Sequence, residues 1–203
     1  MKLKVCGLQC AADVMAAAAA KPFAVGLVFH PASPRCVDVA VAAQLLDMLP
    51  DDVERWAVFR APLPGQMSEL AHLPLTGVQA DVSWNGAGLP EHWRFCPVLH
   101  DGEDAAEQVR SLGFDGRPRR ARSLGDGFVL DGSYGRGKRA NLERAAALAR
   151  LGPLILAGGL HAETVADIVE RVAPWAVDVS SGVEGVDGRK DLEQCRAFGT
   201  AVR

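Results

Sequence analysis

Paired cysteines, aromatic rings, an excess of charge of one sign and long apolar runs are all scarce in this 203-residue chain. The five cysteines, Cys6, Cys10, Cys36, Cys96 and Cys195, are odd in number and show no CxxC spacing. That argues against a disulfide framework or a zinc knuckle and leaves reduced thiols. The five histidines, His30, His72, His92, His100 and His161, are dispersed without an HExxH pair, so no metal is expected. A net charge of −3 gives no global pull toward nucleic acid or an anionic membrane. Apolar runs such as Ala16–Ala20 are far too short to cross a bilayer, and the N-terminus lacks the charged-then-apolar layout of a signal peptide. The expectation is a cytoplasmic protein whose partner is a small metabolite, with no nucleic acid and no membrane.

What is present is a sustained alternation. Hydrophobic residues make up 49% of the chain, enough for a sizeable core. Apolar, β-branched runs predict eight strands at Leu3–Cys6, Ala24–Phe29, Arg55–Phe59, Gly77–Gln79, Arg94–Leu99, Gly127–Asp131, Pro153–Ala157 and Ala176–Ser180. Helical stretches are predicted between and after them at Cys10–Ala20, Val39–Leu49, Pro64–His72, Glu103–Leu112, Asn141–Arg150, Ala162–Val172 and Lys190–Val202, and Gly88–Trp93 is barely long enough for one turn. Eight strands in alternation favour a closed (β/α)8 TIM barrel of the α/β class over an open doubly wound sheet, in a single domain covering residues 1–203. The basic stretch Gly113 to Gly125 reads as a solvated loop before the sixth strand.

In such barrels ligands bind at the carboxyl ends of the strands. Gly158-Gly159 follows the seventh strand and Ser180-Ser181-Gly182 the eighth, so several backbone N–H groups stand there without bulky side chains. Phosphate binding is one reading and tight βα turns with capping serines the other. Cys6, at the end of the first strand, is either a base at the barrel mouth or an inert buried thiol. Asp131 ends the run Gly-Phe-Val-Leu-Asp, where it either takes part in chemistry or caps a loop. Arg35 sits in a loop stiffened by Pro31 and Pro34, as an anion ligand or a solvated cation.

In order along the chain, Lys4-Val5-Cys6-Gly7, Gly26-Leu27-Val28-Phe29 through Ser33-Pro34-Arg35, Val78-Gln79, Val129-Leu130-Asp131, Ile155 to Leu160 and Val177 to Glu184 together resemble the motifs of the phosphoribosylanthranilate isomerase family. The ending Gly188-Arg189-Lys190-Asp191, before Arg196-Ala197-Phe198, is similar as well. The resemblance implies an Amadori rearrangement of N-(5-phosphoribosyl)anthranilate in tryptophan biosynthesis, without cofactor or metal. It implies Asp131 as general acid and Cys6 as general base, and Arg35 and Gln79 on the substrate, with Arg35 at the anthranilate end. Gly158, Gly159, Ser180, Ser181 and Gly182 would hold the phosphate of a phosphorylated sugar.

The chain departs from the family pattern at three places. Gln79-Ala80-Asp81-Val82 lacks the histidine of the family's Q-L-H-G, and Tyr134 to Leu142 keeps only part of a glycine-rich segment, with Arg136, Lys138 and Arg139 added. Gln9 also replaces a common threonine. A divergent paralogue that isomerises or binds a different phosphosugar is the alternative these changes suggest. Both monomer and homodimer remain open.

Overall fold

The computed structural model describes residues 1–117, 121–132 and 140–203. Eight parallel strands, β1 (Lys2–Cys6), β2 (Ala24–Val28), β3 (Glu54–Val58), β4 (Gly77–Asp81), β5 (Arg94–His100), β6 (Phe128–Asp131), β7 (Leu154–Ala157) and β8 (Ala176–Val179), pair in chain order, and β8 pairs back on β1. The sheet is therefore a closed barrel without a free edge. Strands covered on both faces can be apolar throughout, and every residue of β2 is buried.

Among the described residues, seven helices surround the barrel: α1 (Ala11–Ala19), α2 (Val39–Asp47), α3 (Gln66–Leu70), α4 (Ala105–Ser111), α5 (Leu142–Ala149), α6 (Ala162–Val172) and α7 (Leu192–Ala201). Their starts are chemically marked. The Asp38, Asn141 and Asp191 side chains accept the Val41, Arg144 and Gln194 N–H groups and so cap α2, α5 and α7. In α6 the buried residues Val165, Ile168 and Val172 recur every three or four positions, forming one stripe against the sheet. The large cluster between sheet and helices includes Leu27, Leu130, Leu156 and Phe198.

One element differs from the sequence expectation. No helix stands between β4 and β5 among the described residues, where Gly88–Trp93 was expected to offer one turn. Residues 82–93 instead pass through turns, and Trp93 and Leu89 pack into the core cluster. Apolar anchors are thus supplied without a helical stripe, because Pro90 and three glycines or asparagines in this stretch disfavour helix. The basic stretch expected as a loop before β6 ends in a short 3-10 turn, Leu124–Asp126, capped by Ser123.

Alternation decides what faces inward. A second, smaller cluster of Ala24, Trp56, Cys96, Leu124, Val129, Ile155, Ala157 and Ala176 fills the barrel interior. Toward the carboxyl ends of the strands, in steps of two residues, the inward face leads up to Cys6, Val28, Val58, Gln79, Asp81, Val98, His100, Asp131 and Asp178. The interior is closed below by apolar packing and opens above into polar side chains.

Candidate active site

That opening is a cavity of roughly 390 Å3 at the carboxyl ends of the strands. Cys6, Arg35, Gln79, Asp131, Gly158, Gly159, Ser180, Ser181 and Gly182, all singled out from the sequence, line it together.

Its floor is charged. Lys4 is fully buried, and its Nζ donates to Asp178 Oδ2 at 2.7 Å across the β1–β8 pair. Burial would discharge the lysine, but Asp178 and Cys6 hold its proton affinity well above the ordinary range, so it stays an ammonium. Burial pushes the Asp178 carboxyl up, while Lys4 and the Gln79 amide favour its charged form. Burial likewise pushes the Cys6 thiol up, and Lys4 pulls it back down. The Oε1 atom of Gln79 is buried with no hydrogen-bond partner among the described residues, an acceptor left for a ligand.

The loops after β7 and β8 form the next wall. Gly158 and Gly159 both adopt positive φ, at 95° and 60°, which turns the chain sharply above the strand. A Cβ on Gly182 would lie 1.8 Å from the Leu160 carbonyl oxygen, so glycine there permits the two loops to touch. Backbone and glycine, rather than long side chains, therefore shape this end of the cavity, as an anion cradle requires. The Ser180 hydroxyl is used within the protein: it donates to the Cys6 carbonyl at 2.9 Å and receives Lys190 Nζ at 3.2 Å. Ser181 is exposed at the rim.

Arg35 reaches across from the loop after β2. Its Nε and Nη2 donate to the two Glu184 oxygens at 2.6 and 2.7 Å, and Lys190 Nζ donates to the same carboxylate at 2.7 Å. Although burial opposes it, these two cations hold the Glu184 carboxyl below the usual range. The Lys190 N–H in turn donates to the buried Asp13 carboxylate, which also accepts the Gln9 N–H, so the start of α1 is tied to the chain entering α7.

On the opposite rim Asp81 ends β4 and His100 ends β5, with His100 Nε2 2.9 Å from Asp81 Oδ2. Burial opposes charge on Asp81, but hydrogen bonds from Ser83 and His100 hold its carboxyl below the usual value. The imidazole absent from β4 thus stands one strand further on, beside Asp131 in register. Of the second departure, Tyr134 to Leu142, residues 134–139 lie outside the described residues, and Asn141 caps α5 and Leu142 begins it.

Lys4, Asp178, Lys190, Glu184, Asp81 and His100 were not among the sequence candidates. The signal for Lys4 and Asp178 was available: each is an ionisable residue inside an apolar strand, two positions from a residue already placed on the inward face. Arg35 and Glu184, 149 residues apart, carried no local signal of their pairing.

A family model described as N-(5'phosphoribosyl)anthranilate (PRA) isomerase matches residues 108–201. The N-(5'-phosphoribosyl)anthranilate isomerase of Pseudomonas paraeruginosa is 37% identical, over 100% of this chain and 95% of its own length. Among solved structures, the phosphoribosyl anthranilate isomerase of Thermus thermophilus superposes with a TM-score of 0.80 at 25% identity, covering 100% of this chain and 98% of the other. A phosphoribosyl anthranilate isomerase in complex with reduced 1-(O-carboxyphenylamino)-1-deoxyribulose 5-phosphate superposes with a TM-score of 0.75 at 25% identity, covering 99% and 97%.

Proposed function

Given that this chain belongs to the N-(5'-phosphoribosyl)anthranilate isomerase family, and is an aldose–ketose isomerase of tryptophan biosynthesis, we propose how its residues divide the work. Asp131 is the general acid that protonates the ribose ring oxygen, and the C–O bond breaks to leave a protonated Schiff base. Cys6 is the general base. As thiolate it takes the proton from the adjacent sugar carbon, and the C–H electrons flow into a new C=C bond as the iminium nitrogen is neutralised. The resulting enolamine tautomerises to the ketone. The iminium makes that proton acidic, so a positioned base of ordinary strength serves, contributing about 10²–10⁴-fold.

The single observation that carries this reading is the meeting of Cys6 and Asp131 on inward strand ends of one cavity beside the glycine-built loops. We assign the phosphate to those loops, through the backbone of Gly158, Gly159, Ser181 and Gly182. Because its hydroxyl is engaged by Cys6 and Lys190, Ser180 contributes there through its backbone and by holding the wall in place. Arg35, with Nη1 not used by Glu184, faces the anthranilate carboxylate, and Gln79 offers its unpaired oxygen to the substrate. A charged phosphosugar does not cross membranes unaided, which supports placement in the cytoplasm.

Turnover of the fluorescent substrate by purified protein, together with complementation of a tryptophan auxotroph lacking this step, tests the assignment. Cys6→Ala and Asp131→Asn should each lower kcat by at least about a hundredfold with the fold intact. Full activity in Asp131→Asn would remove its role as acid, and failure of the wild-type chain to complement despite stable expression would point to another phosphosugar.

A further inference from the structure

A lysine with no exposed surface at the centre of a barrel is costly unless something uses its charge. Lys4 has one carboxylate partner, Asp178 at 2.7 Å, which accounts for its retention as an ion but not for its position. Position is set by Gly26 on the neighbouring strand. A methyl group there would stand 2.8 Å from Cys6 Sγ and 3.0 Å from Lys4 Nζ, so both atoms lean into the space that glycine leaves open. Sulfur and ammonium are thereby kept within about 6 Å, the range over which opposite charges influence one another's ionisation.

We propose that Lys4 is a positioning residue for Cys6: its ammonium, anchored by Asp178 and seated over Gly26, stabilises the thiolate that removes the substrate proton. The inference rests on the reading of Cys6 as base. While the thiol is neutral, Asp178 balances the lysine; once the thiol ionises, the lysine lies between two anions and the net charge of the trio is −1. The other charged and titratable groups around the sulfur act from farther out. Lys190 and Arg35 approach from the β8 and β2 sides, where Glu184 neutralises part of their charge. Cys96 on β5 is buried and pushed up, so it stays a neutral thiol, and Asp131 on β6 adds negative charge near Asp178. Lys4, fully buried, is the cation that shares with the sulfur the space left by Gly26.

The test reads Cys6 directly. Alkylation of the intact protein by iodoacetamide is followed as a function of pH, with the Cys6 peptide quantified by mass spectrometry so that the other four cysteines do not contribute. Lys4→Gln keeps a hydrogen-bond donor but no charge, and should raise the pH midpoint of Cys6 alkylation by at least about one unit, with the acid limb of kcat/KM moving in parallel. Asp178→Asn should move the midpoint the other way. Opposite signs are the signature of a charge effect, because two merely structural lesions would both loosen the site in one direction. If either single variant fails to fold, the charge-free pair Lys4→Met with Asp178→Asn removes the uncompensated buried ion. Its midpoint should still rise, since the lysine acts on the sulfur more strongly than the aspartate does. A midpoint unchanged or lowered by Lys4→Gln, or by the double variant, would overturn the proposal. The alkylation midpoint is independent of turnover, so an active Cys6→Ala enzyme would remove the base assignment without being confused with failure at Lys4.

Discussion

On the side of the cavity built by β7, β8 and β1, polar side chains from separate parts of the chain are linked by mutual hydrogen bonds. The Ser180 hydroxyl is fastened to the Cys6 carbonyl, Lys190 to Ser180 and Glu184, Glu184 to Arg35, and Gly182 is pressed against the Leu160 carbonyl. On the side built by β4 and β5, the Asp81–His100 pair stands at a partly open rim, its side chains roughly a fifth exposed. The open side carries the change at Asp81, where the family pattern has histidine, whereas the departure on the tight side is at Gln9, whose N–H is bound to Asp13. Under the proposed assignment of the phosphate to this side, it must be gripped in one geometry while the sugar is opened and rearranged, so the tight side tolerates little change. The open rim can exchange partners between adjacent strands while still presenting an imidazole.

The largest effect expected from disturbing this contrast is at Gly182. Gly182→Ala would place a methyl carbon 1.8 Å from the Leu160 oxygen, a backbone contact that no side-chain rotation relieves. The β7 and β8 loops must separate, and a displacement of about 1 Å at the anchored end of a substrate is worth on the order of a hundredfold in kcat/KM. Steady-state kinetics, with inorganic phosphate as a competitive probe, should show a weakened inhibition constant alongside the lost turnover. Wild-type phosphate affinity in Gly182→Ala would remove these loops from the anion cradle.

A smaller effect, with a definite pH dependence, is expected at Glu184. Its carboxyl is held below the usual value by Arg35 and Lys190, so the folded state favours the charged form more than the unfolded chain does. That contribution is present above the unfolded pKa and is lost as pH falls through the lower folded pKa. Glu184→Gln should therefore lower Tm by about 5 °C at pH 7. The gap should begin to narrow as pH falls through the ordinary glutamate value of about 4.3 and should close once pH has fallen through the lower folded one. A gap constant from pH 7 to pH 3 would mean that Glu184 acts through packing alone.

The same contrast explains how much of the molecule the sequence makes legible. Strand periodicity identifies all eight strands within one or two residues of their ends, and it places Cys6, Gln79 and Asp131 on one face because a two-residue repeat fixes which side chains point inward. The glycine and serine loops are legible for a similar local reason: sharp turns above parallel strands need small residues. Networks are not legible. The sequence singles out Arg35 and Ser180 but not the Glu184 carboxylate that Arg35 binds through Nε and Nη2, nor the Cys6 carbonyl that accepts the Ser180 hydroxyl. Those pairings depend on which strands become neighbours when the barrel closes. They join residues 149 and 174 positions apart, beyond the reach of any local pattern.

The smallest effect is expected at the open rim, where it most sharpens the contrast. His100→Asn leaves Asp81 its hydrogen bonds from Ser83 and keeps a polar side chain facing the cavity, so the rim can rearrange at modest cost. A partly solvated pair of this kind is worth little on its own, because water competes for both partners. The expected outcome is a loss of no more than about tenfold in kcat/KM, with KM carrying most of it and Tm nearly unchanged. Asp81→Asn should behave alike, and the double variant should cost scarcely more than either single one, since both remove the same interaction. If His100→Asn instead lowered kcat by a hundredfold with KM unchanged, the imidazole would belong to the chemistry beside Asp131. The substituted rim would then be as exacting as the tight side, and its departure from the family pattern would mark a rebuilt part of the catalytic apparatus instead of a tolerant edge.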